Sequence, residues 1–187
     1  MNKLIAIPMQ YKSNKLYVVT APSGSGKTTI MRSVMDSEII SFTTRQKRDG
    51  EVEGKDYIFI TREEFDELLL NNGLIENTCY GGNYYGVTRS EFENKLSQAD
   101  SFFIADYNGM QQIREFHENT TTIFIHCDKE RCKQNMLKRG DKVELVEKRL
   151  STYENEIQNS VYFDHLVFNN GSREDVIKKV NQIIRGE

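Results

Sequence analysis

Residues 15–35 read KLYVVTAPSGSGKTTIMRSVM, and this stretch restricts the fold more than any other part of the chain. The apolar, β-branched run at 15–21 predicts a buried strand, and KTTIMRSVM predicts a helix beginning directly after the glycines. Between them, Ala21-Pro22-Ser23-Gly24-Ser25-Gly26-Lys27-Thr28 fits G-x-x-x-x-G-K-[ST] except at its first position, where Ala21 stands in place of glycine. Gly24 and Gly26 allow successive backbone N–H groups to turn inward as a cradle for phosphate oxygens. Lys27 is spaced to reach the β- and γ-phosphates, and Thr28 to offer its hydroxyl to Mg²⁺. The helix that follows points its positive end at the same anion. Ala21 is tolerable if the backbone there keeps a negative φ, as it does on leaving a strand. The loop predicts binding of a nucleoside triphosphate and leaves the acceptor unnamed.

The remaining strands and helices fit one layered domain. With 187 residues, 37% hydrophobic and 28% charged, the composition is that of a soluble globular chain. The net charge of −3 gives no general basic face, so anion binding is expected to be local and no nucleic-acid partner is expected. No apolar run approaches the ~20 residues of a membrane span. The apolar patch within residues 1–15 is too short for a secretory h-region, so a cytoplasmic protein is expected. Residues 1–14 receive no role. Cys79, Cys127 and Cys132 are odd in number and lack C-x-x-C spacing, and His117, His126 and His165 are scattered, so reduced thiols and no metal cage are expected.

Strand-like SFFIAD, TTIFIHC and DHLVFN alternate with helical NGMQQIREFH, DKERCKQNMLKRG and SREDVIKKVNQIIR, and a long charged helix is expected over 143–158. Strands separated by helices of this length imply a parallel sheet. Between residues 39 and 88 the texture changes to short strand-like pieces around an acidic helix, TREEFDELLLNN, which opens with a capping-box pattern at Thr61 and Glu64. The expected fold is therefore α/β, with an inserted lobe on a parallel core.

That lobe begins with a second phosphate-binding toolkit, SFTTRQKRDGEVEGKDY at 41–57, where Arg45 and Arg48 sit three residues apart among hydroxyl-bearing side chains. Taken alone it also fits a solvated basic turn. Beside a triphosphate loop, it suggests that the chain holds two nucleotides at once.

The TTRxxRxGExxGxDY arrangement, the later LIENTCYGGNYYG and the P-loop, in this order, resemble guanylate kinase over about residues 15–185. The resemblance implies a three-layer α/β/α P-loop NTPase core (1–38, 89–134 and 160–187), a mixed β lobe for GMP (39–88) and a helical lid (135–159). It implies ATP contacts from Ala21, Pro22, Ser23, Gly24, Ser25, Gly26, Lys27, Thr28 and Thr29, with Asn169 near the adenine. Ser41, Arg45, Arg48, Tyr57 and Tyr85 would hold the α-phosphate of GMP. Glu76 would read guanine, whose N1–H and N2–H₂ donors suit a carboxylate that the N1 acceptor of adenine repels, and Asp106 would lie near the same base. Arg139 and Arg149 would close over the transferring phosphates. Lys27, Arg45, Arg139 and Arg149 are thus the expected catalytic group, with Mg²⁺ as cofactor held by Thr28, water and substrate oxygens.

Besides Ala21, the chain departs from the family pattern in three places. Val87 stands where a hydroxyl beside guanine is usual, Ile104 replaces the first aspartate of a D-x-D pair, and the lid is about one residue short. The expected reaction is ATP + GMP ⇌ ADP + GDP, with dGMP as a further acceptor. The alternatives are a kinase for another nucleoside or deoxynucleoside monophosphate, or a protein-binding module of the same fold. No motif sets an oligomeric state.

Overall fold

A computed structural model describes residues 14–187; the N-terminal residues without an assigned role lie almost wholly outside the described part. In chain order the elements are β1 (Leu16–Thr20), α1 (Lys27–Met31), β2 (Glu38–Ile39), β3 (Phe42–Thr43), β4 (Ile58–Phe59), α2 (Arg62–Leu70), β5 (Leu74–Tyr80), β6 (Asn83–Thr88), α3 (Arg89–Gln98), β7 (Ser101–Ile104), α4 (Tyr107–Phe116), β8 (Thr120–His126), α5 (Lys129–Lys138), α6 (Val143–Leu150), α7 (Tyr153–Gln158), β9 (His165–Phe168) and α8 (Arg173–Arg185), with a 3₁₀ turn at Asn159–Tyr162 before β9.

Five strands form a parallel sheet in the order β2-β7-β1-β8-β9. Its central strand is apolar on both faces because both are covered. Tyr17 and Val19 pack with Ile30 and Met31 of α1 and with Val176 and Val180 of α8. Leu16 and Val18 pack on the other side with Phe92 and Leu96 of α3 and Met110 and Ile113 of α4. Residues between 42 and 88 build a second, mixed sheet, β4-β3-β6-β5, in which β3 runs parallel to β4 and antiparallel to β6. The α/β class with a parallel core and a mixed sheet is the one expected. The capping box before α2 is also formed: Glu64 N–H donates to Thr61 Oγ1, and Thr61 N–H donates to the Glu64 carboxylate.

Two helices differ from expectation. The helix after the glycines ends at Met31 and continues as turns, with Ser33 N–H bonded to Ile30 O and Val34 N–H to Met31 O. The single helix expected over 143–158 is instead two, α6 and α7. At the break, Ser151 Oγ donates to Lys148 O at 2.8 Å and Thr152 Oγ1 to Arg149 O at 3.1 Å. Such hydroxyls offer the backbone an alternative to the helical ladder. The break lets Tyr153 enter the core, where its hydroxyl donates to Cys127 O at 2.9 Å, and it brings Glu156 to the wall of the cleft.

Candidate active site

A cleft of about 930 Å³ is walled by the glycine loop, the mixed sheet, the start of α4 and the segment from Arg139 to Asn159. It lies where β1 and β7 end, the edge of a parallel sheet at which the fold leaves room for ligands.

The loop after β1 is tied to the protein body. Gly24 and Gly26 both have φ +83°, in the left-handed region that a Cβ disfavours. Gly24 has a second constraint, since a Cβ there would lie 2.4 Å from the Cys132 carbonyl oxygen of α5. Asn135 Nδ2 donates to Gly24 O, and Asn169 Nδ2 to Ser25 O, each at 2.8 Å. Asn169, expected near the adenine, is buried and braces the loop through that bond. Ser25 Oγ is buried without a hydrogen-bond partner among the described residues. Lys27 Nζ donates to Ala21 O at 3.2 Å, so the residue at the non-glycine position contributes through its carbonyl. Burial lowers the Lys27 pKa, and Arg139 pushes the same way, against Glu156 and Cys132. Thr28 and Thr29 both line the cleft.

Ser41, Arg45, Arg48, Tyr57 and Tyr85 line the same cleft, so the two segments expected to bind anions converge on it. Arg45 is only 9% exposed. Its Nη1 and Nη2 donate to Glu51 at 3.0 and 2.7 Å, and its guanidinium lies 5.1 Å from the Tyr57 ring centre. Glu51 also accepts from the Arg48 N–H at 2.8 Å. This carboxylate holds both arginines in position. Its sequence signal was present, an acid three residues after Arg48 in RDGE, but acids beside arginines are usually solvent-facing.

At another part of the cleft stand Glu76 of β5 and Asp106, the N-cap of α4. Asp106 Oδ1 accepts from Gly109 N–H at 2.8 Å, and Oδ2 accepts from Thr78 Oγ1 at 2.7 Å. The Glu76 residue is 2% exposed, and its carboxyl takes no hydrogen bond among the described residues. Burial, reinforced by the Asp106 charge, pushes its pKa up to about 8. Gly109 is what admits it, since a Cβ there would lie 2.5 Å from Glu76 Oε1. In the sequence Gly109 was only a glycine inside a helical pattern.

Val87 is fully buried in one apolar cluster with Ile39, Phe103 and Met110, directly across from Glu76 and on the same face of β6 as Tyr85. The Thr88 hydroxyl caps α3, accepting from Glu91 N–H at 3.3 Å. Val87→Thr would therefore put a hydroxyl into apolar packing, an exchange that keeps volume but not chemistry. It should lower stability by about 1–2 kcal/mol, as read by urea unfolding, without raising activity.

Arg139, just beyond α5, and Arg149 of α6 both pair with Asp141, at 2.5 and 3.1 Å, and all three line the cleft. Asp141 was not singled out in the sequence. It gathers the two arginines on one carboxylate. Ile104, at the end of β7, faces the cleft as an aliphatic side chain.

A glycine cradle with its lysine, a second set of arginines and tyrosines, and a buried carboxyl in one cleft on a parallel α/β core define a P-loop nucleoside monophosphate kinase. Residues 13–187 match the model of the guanylate kinase family. The guanylate kinases of Hahella chejuensis and Escherichia coli K12 are each 33% identical, covering 92% of this chain and 86% and 87% of their own. The crystal structure of guanylate kinase from Anaplasma phagocytophilum superposes with a TM-score of 0.73 at 29% identity, over 93% of this chain and 86% of that one. The chain belongs to the guanylate kinase family.

Proposed function

We propose that the protein transfers the γ-phosphoryl group of ATP to GMP, giving ADP and GDP, with Mg²⁺ as cofactor. The observation that carries the GMP assignment is Glu76, a buried carboxyl with no hydrogen-bond donor among the described residues, facing the cleft that also holds Lys27 and Arg45. Guanine supplies two donors side by side for such a group.

The residues fit a magnesium ion held mainly by substrate. Among the described residues no cluster of His, Cys, Asp or Glu could hold a metal by itself. The Thr28 hydroxyl lines the cleft in the first turn of α1, and Mg²⁺ commonly keeps waters and phosphate oxygens as its other ligands. When bound, the ion would neutralise charge on the phosphates. The chain's own groups do the rest. Arg45, Arg48, Tyr57 and Tyr85 fix the acceptor phosphate, whose oxygen is already ionised near neutral pH and needs no general base. Lys27, Arg139 and Arg149 stabilise the charge that spreads over the transferring group. Movement of the mixed sheet and of the 135–159 segment toward the core would exclude water, which otherwise hydrolyses ATP.

We place the reaction in the cytoplasm, where both nucleotides occur; no helix among the described residues is long and apolar enough to cross a membrane. An ADP-release assay over the nucleoside monophosphates should give GMP the highest kcat/KM, with dGMP next and AMP, CMP and UMP far behind. Faster turnover of another monophosphate would overturn the guanine assignment. Absence of turnover with all of them, despite nucleotide binding, would favour a protein-binding module.

A further inference from the structure

Thr78 was no part of the expected site, yet the structure puts it in the middle of the base-reading wall. Side chains alternate along a strand, so Glu76, Thr78 and Tyr80 of β5 share a face, and all three line the cleft. The Thr78 hydroxyl has one proton, and it is committed: Oγ1 donates to Asp106 Oδ2 at 2.7 Å. Asp106 is itself fixed, with its other oxygen capping α4 through Gly109 N–H. A hydroxyl that donates to a held carboxylate turns its lone pairs elsewhere and acts as an acceptor. The wall therefore presents acceptors from Glu76, Thr78 and Asp106, whereas Val87 on the neighbouring strand offers no hydroxyl to the base.

We propose that Thr78 is a specificity residue that accepts a hydrogen bond from the exocyclic amine at C2 of guanine, while Glu76 accepts from N1–H and the second amine proton. This rests on the guanylate kinase reading and extends it. Three acceptors match the three donors of that base edge. A purine with the same N1–H but no 2-amino group, hypoxanthine, leaves Thr78 facing a carbon. The chain is thereby made to reject inosine monophosphate as well as AMP.

The test compares kcat/KM for GMP and for inosine monophosphate in wild type, Thr78→Val and Thr78→Ser. Thr78→Val keeps the shape and removes the acceptor. It should lower kcat/KM for GMP roughly five- to tenfold, mostly through KM, and change the inosine monophosphate value less than twofold. Thr78→Ser should keep wild-type discrimination. If Thr78→Val does not fold, judged by circular dichroism, Thr78→Ala reads the same ratio. Equal losses on both substrates would show that Thr78 only steadies Asp106 and the start of α4, which overturns the proposal. So would a Thr78→Val enzyme that keeps the wild-type kcat/KM for GMP. Wild-type protein that turned over neither purine would overturn the kinase reading beneath it.

Discussion

Lys27→Met should cut kcat by at least ~10²-fold while leaving the fold intact. The amine sits at the mouth of the glycine loop, held by the Ala21 carbonyl at 3.2 Å, and lines the cleft between the loop and the arginines. Burial already lowers its pKa, and Arg139 adds to that. The Lys27 charge thus costs desolvation when the cleft is empty, and an incoming polyphosphate offsets that cost. Methionine fills a similar volume without the charge, so circular dichroism and the urea midpoint should hold or rise slightly. The loss should fall on kcat more than on KM for GMP if Lys27 serves the triphosphate side of the cleft, as proposed. Single-turnover kinetics would check this, and near-normal turnover would show that the loop binds without catalysing.

Glu76→Gln should reduce kcat/KM for GMP by ~10²-fold or more, since a site built to hydrogen-bond a substrate discriminates sharply when a partner is removed or reversed. Glutamine keeps one acceptor and turns a donor toward the amine that needs the other. AMP, which never used the carboxylate well, should lose much less.

The raised pKa adds a pH signature. In the empty cleft the Glu76 carboxyl holds its proton up to about pH 8, against a usual value of 4.5. Because the folded-state pKa is the higher one, this carboxyl contributes most to stability below about pH 4.5. That contribution falls as pH rises and is gone above about 8. The empty Glu76→Gln protein, which has no such ionisation, should therefore resist unfolding better than wild type at pH 8. Guanine binding should expel the proton, so GMP affinity relative to AMP should climb between about pH 5 and 8 and then level. AMP carries the same phosphate, so the ratio removes the phosphate's own titration. A flat ratio across that range, or a wild type more stable than the variant at pH 8, would mean that the carboxyl is ionised in the empty site and reads the base some other way.

Much of the molecule followed from local sequence. The strand-loop-helix at 15–35 needs only neighbouring residues to specify it, because glycine φ, strand burial and helix start are all short-range properties. The same holds for the capping box at Thr61. Arg45 and Arg48, ambiguous by themselves, do line one cleft with the glycine loop, and the motif order from the P-loop to LIENTCYGGNYYG was enough to indicate the family. What failed locally did so at balanced positions. Ser151 and Thr152 break an otherwise helical run because their hydroxyls compete for the backbone.

Contacts between distant segments were decided by tertiary packing. Val87 and Glu76 are opposite neighbours across two antiparallel strands, yet Val87 faces apolar packing and Glu76 the cleft wall. Strand alternation cannot separate them, because only the placement of the mixed sheet against β2, β7 and α4 determines which one is covered. Glu51, apart from its place in the TTRxxRxGExxGxDY string, and Asp141, Gly109 and Thr78 carry no sequence mark distinguishing them from surface acids, a helix glycine or a strand threonine. Each gained its role when folding brought it against Arg45, Arg139 and Arg149, Glu76 or Asp106. Asn169 acquires a brace that the resemblance did not imply, as 144 residues of separation close to a 2.8 Å bond with the Ser25 carbonyl. The sequence determined which chemical groups were available and the local backbone that carries the first of them. The tertiary structure decided which groups are desolvated together, and desolvation is what turns a buried carboxyl and a ring of cations into a site that needs a nucleotide.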